Sequence, residues 1–354
     1  MIPRITVVVL NWNGWEDTVE CLESLFLVDY PCFDVVVVDN ASEDDSLLRI
    51  REYCQGDLVV GSAFFTYNSG NKPIQVTELT EKQVRSKMRE KGDRPKSSCQ
   101  APEARNHLTL IKNDVNHGFA QGNNIAMEYA LAVFDPDYLL LLNNDTVVDP
   151  HFLTEMVNVT VGEGVGMVGP KILKATDPRV IDSAGHIISW GRIVDRGHGE
   201  VDEGQYDQDI NVIGVMAAAA LYKREMLMDI GFLDSSYVTL GEDADLSWRA
   251  YNNGWRAVFA PKAVVYHKRG QSITKESVLP RMTILSTKNT TKYVVKNGKN
   301  RHKFLYLFVL FKEGLFVLAG SVLGKNNVNT LQYSSVLLNS YLTIFKSFFQ
   351  LRLS

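Results

Sequence analysis

Short, unbroken apolar runs alternate with stretches of helical periodicity along most of the chain. Residues 5–10, Ile-Thr-Val-Val-Val-Leu, are largely β-branched and are followed by turn-forming residues, the pattern of a strand buried on both faces. Residues 16–27 then carry Val19, Leu22, Leu25 and Phe26 at helical spacing. A second buried strand is expected at 35–38, and Ser42 stands where it could cap a helix over 43–53. This β-α-β-α opening predicts an α/β fold with a mostly parallel central sheet and helices on both faces. Further strands are expected at 108–112, 138–142 and 165–168, and helices at 118–134, 150–161 and 242–253, the last closed by Gly254. Residues 211–221 are small, apolar and alanine-rich, and two short strands, 256–260 and 263–266, flank Pro261. No internal repeat is present.

Two regions depart from this rhythm. Residues 56–106 are polar and charged and read as an insertion with one short helix around 81–91. From residue 276 the chain turns apolar and basic. The runs 304–311 and 314–323 are split by Lys312-Glu313, and 335–351 is a second apolar and aromatic stretch with Lys346 inside it. A spanning helix needs about 20 mostly apolar residues, and a charge pair at its centre is costly. These segments are therefore expected to lie on a membrane surface. The division predicted is a catalytic domain over 1–275 and a helical tail over 276–354.

Charge supports that division. The net formal charge is −4, but from residue 281 onward the chain has eleven Lys and Arg against a single acid, Glu313. An acidic body with a basic, apolar tail suits contact with an anionic bilayer. The basic residues are too dispersed among apolar runs for a nucleic-acid footprint, and no nucleic acid is expected as a partner. The four cysteines, Cys21, Cys32, Cys54 and Cys99, form no C-x-x-C pair or zinc spacing. They are expected to be reduced thiols in a cytoplasmic protein, since the first apolar run is too short for a signal peptide.

In parallel sheets, ligands gather outside the carboxyl ends of the strands. Three such ends carry amides or acids: Asn11 to Asn13, Asp39-Asn40, and Asn143-Asn144-Asp145. Such groups can hold a ribose, a base, or a divalent ion already bound to a diphosphate. The segment Asn116-His117-Gly118-Phe119-Ala120-Gln121-Gly122-Asn123-Asn124 opens a helix whose free amides could meet a phosphate. Glu242, Asp243 and Asp245 crowd the first turn of another helix, where acids raise one another's pKa and suit a general base. His267, just past a short strand, is a candidate metal ligand. The first strand is followed by Asn-Trp-Asn-Gly-Trp rather than Gly-x-Gly-x-x-Gly, and no Walker motif occurs, which counts against dinucleotide and P-loop nucleotide sites.

Taken in order, Val7 to Gly14, Val36 to Ser42, Asn116 to Ala120, Leu141 to Asp145 and Glu242 to Leu246 resemble the family 2 glycosyltransferases, in particular the rhamnosyltransferase-like branch. The resemblance implies a GT-A fold and an inverting hexosyltransferase of the kind used in polysaccharide biosynthesis. The donor would be a UDP-, dTDP- or GDP-linked sugar, and the acceptor a hydroxyl of a glycan or lipid-linked acceptor. By this resemblance Asp39 contacts the nucleoside, with Asn11, Asn13, Asn40, Gly118, Asn123, Asn143 and Asn144 completing the nucleotide-sugar site. Asp145 takes the metal-binding place of the family's D-x-D motif, whose other positions here are Asn143 and Asn144. His267 supplies a further contact to a Mn or Mg ion or to the diphosphate. Asp243 is the catalytic base, with Glu242 and Asp245 shaping its surroundings. The expected location is the cytoplasmic, inner face of the cell membrane. Two alternatives stand beside this reading: a sugar-nucleotide pyrophosphorylase, which would want a Gly-rich basic loop after the first strand, and a non-catalytic glycan-binding or scaffold protein on the same fold.

Overall fold

The computed structural model describes residues 2–89, 106–268, 279–322 and 330–350. Its strands are β1 Ile5–Asn11, β2 Phe33–Asp39, β3 Gln75–Thr80, β4 His107–Lys112, β5 Tyr138–Asn143, β6 Thr146–Val148, β7 Val165–Lys174, β8 Asp177–Ser183, β9 His186–Ser189, β10 Arg192–Asp195, β11 Asn211–Val212, β12 Ala219–Lys223 and β13 Arg256–His267. Its helices are α1 Trp15–Phe26, α2 Ser46–Gln55, α3 Glu81–Arg89, α4 Gly118–Val133, α5 Phe152–Asn158, α6 Arg224–Ile230, α7 Glu242–Asn252, α8 Leu279–Asn297, α9 Asn300–Val322 and α10 Thr330–Gln350.

The main sheet runs β11-β13-β7-β12-β5-β1-β2-β4-β3, with β6 added beside β13 and β8 beside β7. From β5 to β3 all neighbours are parallel. Strand β12 enters antiparallel between β5 and β7. The predicted α/β architecture is thus present, and its strands show why it forms. Successive residues of each buried run face opposite sides. Val7, Val9, Val35, Val37, Leu140 and Leu142 join one core, under α1, α2 and α5. Val8, Val36, Val38, Leu139 and Leu141 join the other, under α4, α6 and α7.

Several boundaries differ from expectation for identifiable reasons. Helix α2 starts at Ser46 behind Asp45, and Ser42 does not cap it. The Ser42 hydroxyl instead accepts from Asn11 Nδ2 at 3.1 Å and from the Asn13 amide at 3.0 Å. The two strands expected around Pro261 are one, β13, with a register shift between Ala260 and Val264 that accommodates the proline. The stretch 56–106 is more than an insertion, because β3 within it pairs in parallel with β4 and forms the sheet edge. Cys32 is disulfide-bonded, against the expectation of reduced thiols throughout. Sequence spacing carries no signal for a pairing made only in space. Cys21 and Cys54 are free and buried, and Cys99 lies outside the described residues.

The tail consists of helices that pack on the body. Trp248 of α7, fully buried, meets Tyr293 of α8 with ring centroids 5.9 Å apart and His302 of α9 at 5.3 Å. Tyr306, Leu310, Val336, Leu337 and Ile344 extend the same core. Asp245 fastens this junction, accepting from Arg249 Nε at 2.7 Å and Asn297 Nδ2 at 2.9 Å and pairing with Lys296 Nζ at 3.0 Å. Among the described residues no helix is long and apolar enough to cross a membrane.

Candidate active site

The parallel strands end in step. Asn11 lies opposite Asp39 in the β1–β2 register, and Leu10 lies opposite Asn143 in β1–β5. Asn11 and Asp39 are both fully buried, and Asn11 Nδ2 donates to Asp39 Oδ1 at 2.9 Å. Asp39 Oδ2 accepts from the Ser42 amide at 3.1 Å, so the carboxylate is locked in one orientation at the strand end. Asn13 sits at φ +51 and its Oδ1 accepts from the Glu43 amide at 2.7 Å, tying the two loops together. Asn40 is a hub. Its Nδ2 donates to Asn116 Oδ1 at 2.9 Å, and its Oδ1 accepts from Asn113 Nδ2 at 3.0 Å and the His117 amide at 3.1 Å. Asn144 donates to Thr18 Oγ1 at 3.0 Å. These amides build the rim rather than present free groups to it.

The start of α4 does not offer the anion site that its glycines suggest. The Gly118 amide donates to Asn116 Oδ1 at 2.8 Å, and the Phe119 and Ala120 amides to the Val238 carbonyl at 2.7 and 3.3 Å. Asn123 turns back to the Phe119 carbonyl at 2.9 Å within its own helix. The amides expected at a phosphate are therefore engaged by Asn116 and by the 238–241 loop. That loop holds Val238 and Leu240 at φ +55 and +65, and Asn289 of α8 donates to the Thr239 carbonyl at 2.9 Å and to that of Leu240 at 2.6 Å. Strain of this kind persists where surrounding bonds over-determine it.

Beside this rim a cleft of about 470 Å³ gathers Asn143, Asp145 and His267 with Glu242 and Asp243. Its floor includes Ala217 and Ala218, which explains the alanine-rich run: small side chains leave the volume open. Antiparallel pairing sets His267 of β13 opposite Thr146 of β6, the residue after Asp145. His267 Nε2 lies 3.3 Å from Asp145 Oδ1, and Nδ1 lies 2.8 Å from Oδ2 of the fully buried Asp182. Burial alone would push the imidazole's pKa down, but the hydrogen bonds to Asp145 and Asp182 and their charges override it and raise it to about 9. No group of three metal-binding side chains occurs among the described residues.

Gly241, at φ +94, turns the chain into α7. Asp243 Oδ1 accepts from the Ala244 amide at 2.7 Å and Oδ2 from the Ala217 amide at 3.2 Å, fixing the carboxylate at the cleft wall. His186 Nε2 lies 3.9 Å from Asp243 Oδ2 and 3.3 Å from Asp195 Oδ1. Glu242 is buried, and its Oε2 has no hydrogen-bond partner among the described residues. Burial first, then the charge of Asp243, pushes its carboxyl up to about 8. Asp245 is two residues beyond Asp243, roughly 200° around the helix, and faces the tail. It anchors α8 and takes no part in the cleft, contrary to the expected supporting role.

The sequence reading missed the cleft wall made by His186 and residues 192–195, and Asp182 behind His267. These residues come from β8 to β10, short strands without a long apolar run. The one available signal was an acid and a histidine bracketing a glycine turn, Asp182-Ser-Ala-Gly-His186. The tail's contribution through Met282, Ser286, Thr290 and Tyr293 was also missed. Residues 269–278, which follow His267 and Lys268, lie outside the described residues.

Comparison with known proteins identifies the family and the fold. The family model described as "Glycosyl transferase family 2" matches residues 6–77, and that described as "Glycosyltransferase like family 2" matches residues 98–281. The uncharacterized protein y4gI of Sinorhizobium fredii is 34% identical over 152 residues, 40% of this chain and 16% of its own length. The O-antigen biosynthesis protein RfbC of Myxococcus xanthus is 26% identical over 150 residues, 40% of this chain and 12% of its own length. The chain thus spans under a fifth of the length of either curated relative. Among solved structures, the mannosyltransferase PcManGT from Pyrobaculum calidifontis, in complex with GDP-Man and Mn2+, superposes with a TM-score of 0.54 at 15% identity, covering 99% of this chain and 88% of the other. With over half its length matched by a single family model, the chain belongs to the glycosyltransferase-like family 2 and carries the GT-A fold.

Proposed function

We propose that this chain is an inverting glycosyltransferase that moves a sugar from a nucleoside-diphosphate sugar to a hydroxyl of a glycan or lipid-linked acceptor. The observation that carries the reading is one cleft lined by Asp145 and His267 together with Asp243, while Asp39 is fixed at the neighbouring strand end. Asp39 would hold the nucleoside. Asp145 would hold a Mn or Mg ion already bound to a diphosphate, because such ions keep few protein ligands, and His267 would join it once the ion displaces its Nε2 proton. The Asp182 contact at Nδ1 leaves His267 Nε2 as the nitrogen directed at that position. When bound, the ion offsets the charge that gathers on the departing diphosphate.

The remaining chemistry falls to the chain's own residues. An acceptor hydroxyl attacks the anomeric carbon as the bond to the diphosphate oxygen breaks, which inverts that centre. Asp243 takes the hydroxyl proton, a role worth about 10²–10⁴-fold in rate. Glu242, neutral at pH 7 by its raised pKa, adds no second negative charge beside the base.

The same reading puts the enzyme on the inner face of a cell membrane. Phe304, Phe308, Phe311 and Leu315 are exposed along one side of α9, at spacings of four, three and four residues, with Leu338, Leu342 and Phe345 exposed on α10. Such a face beside basic side chains suits an interfacial position. The test of the reaction is a thermal-shift screen of UDP-, GDP- and dTDP-sugars with and without Mn²⁺, followed by turnover of the donor that stabilises the protein. A metal-dependent rise in Tm with one nucleotide class, and release of its nucleoside diphosphate, is expected. Absence of both across the screen would reject the reading.

A further inference from the structure

A second cavity, about 340 Å³, adjoins the cleft and shares Arg192, Leu240, Met282, Ser286 and Thr290 with it, so the two form one continuous groove. Its far end is built from the tail. Thr283, Ser286, Thr287 and Thr290 stand at spacings of three, one and three on α8, a single stripe of hydroxyls on one helix face. Glu313 of α9 and Tyr333 of α10 face them across the groove.

The polar groups there are linked but not exhausted. The Tyr333 hydroxyl donates to Glu313 Oε2 at 3.0 Å and lies 3.4 Å from Thr287 Oγ1. Arg192 Nη1 stands 3.7 Å from Glu313 Oε1, too far for a hydrogen bond, and the guanidinium makes none among the described residues. Glu313 and Arg192 are each about a third exposed, at 30% and 37%, and so remain accessible from the groove. The far end of the groove thus lines up the hydroxyls of Ser286, Thr287, Thr290 and Tyr333 with one carboxylate and one cation whose charges balance.

We propose that this groove is the acceptor subsite and that it takes a neutral oligosaccharide, led from the tail helices to Asp243. The inference rests on the glycosyl-transfer reading above and adds where the acceptor lies and what it is. A matched pair of charges with many hydroxyls recognises sugar hydroxyls, which both donate and accept. An anionic acceptor would meet Glu313 as a like charge and find Arg192 as the one cation lining this end of the groove.

The test is calorimetric titration of the full chain with a set of neutral di- to tetrasaccharides built from glucose, galactose, mannose and rhamnose, and with a uronic-acid oligosaccharide. At least one neutral member is expected to bind, and the uronic-acid probe more weakly. Glu313→Gln is expected to weaken the binding neutral member about tenfold, as removal of a charged hydrogen-bond partner does. Thr283→Trp, at an exposed position on the far end of the groove, should abolish it while Tm stays within a few degrees of wild type. No neutral binding, tighter binding of the uronic-acid probe, or unchanged binding in both variants would overturn the proposal. Wild-type hydrolysis of donor without any acceptor is measured in parallel. Its absence counts against the catalytic reading, and its presence beside failed oligosaccharide binding counts against the groove alone.

Discussion

Asp182 is the residue whose replacement probes the proposed metal side of the cleft most cleanly. It is fully buried, 85 positions from His267 in sequence, and touches the imidazole at Nδ1 with a separation of 2.8 Å. A carboxylate there accepts the Nδ1 proton and leaves Nε2 to face Asp145. Asp182→Asn keeps the shape but removes the charge, and its amide can present a donor to Nδ1 and reverse the ring's proton placement. Losing such a partner behind a metal-binding histidine typically lowers metal affinity 10–100-fold, or about 1.4–2.8 kcal/mol. The same loss removes a hydrogen bond to a charged ring, worth about 1.5–3 kcal/mol. Titration of Mn²⁺ by electron paramagnetic resonance, with saturating nucleoside diphosphate, reads the first effect, and thermal unfolding without metal the second. Unchanged Mn²⁺ affinity in a folded Asp182→Asn protein would refute the role assigned to the Asp182–His267–Asp145 chain.

Three further outcomes follow from other contacts. The Glu242 carboxyl has its folded pKa raised from an ordinary 4.5 to about 8, so the folded state holds this proton more tightly than the unfolded state. Its stabilising effect is complete below pH 4.5 and is lost as pH rises towards 8, and Glu242→Gln should flatten that decline in Tm; an identical slope in the variant would count against the assignment. Gly118 lies at φ +74, and a Cβ there would sit 2.8 Å from Val238 Cγ1 and 2.9 Å from the Val238 carbonyl oxygen. Gly118→Ala should cost about 2 kcal/mol in chemical denaturation, with a wild-type midpoint as the contrary result. Vesicles containing anionic lipid should retain the chain on flotation, and Phe308→Glu with Phe311→Glu should release it; flotation that ignores both substitutions would remove the membrane reading.

The body of the fold was legible because its strands are buried on both faces. Such runs stand out in sequence, and the acids and amides that follow β1, β2 and β5 mark the rim directly. Asp39 and Asp145 stand out this way, whereas Asp243 is signalled by the acidic start of a helix and His267 by the end of a late strand. What those residues touch was less legible. Three acids at the start of α7 look equivalent as letters, yet helix geometry turns Asp243 to the cleft and Asp245 to Arg249 and Lys296. Ser42 resembles a cap, but Asn11 and Asn13 reach its hydroxyl first. The hairpin wall was hidden because β8 to β10 are short and half polar, and its partners lie far off in sequence. The tail's apolar content serves two surfaces. Tyr306, Leu310 and Ile344 face the protein and Phe304, Phe308 and Phe345 face outward, a division that composition alone does not reveal.

The proposed reaction depends above all on a proton acceptor held beside the donor. Asp243→Asn, assayed for sugar transfer and for donor binding in the same preparation, measures this directly. Transfer should fall by about 10²–10⁴-fold while the donor Kd stays near the wild-type value. Transfer at the wild-type rate per bound donor, or a loss explained entirely by weaker donor binding, would contradict the assignment of Asp243 as the base.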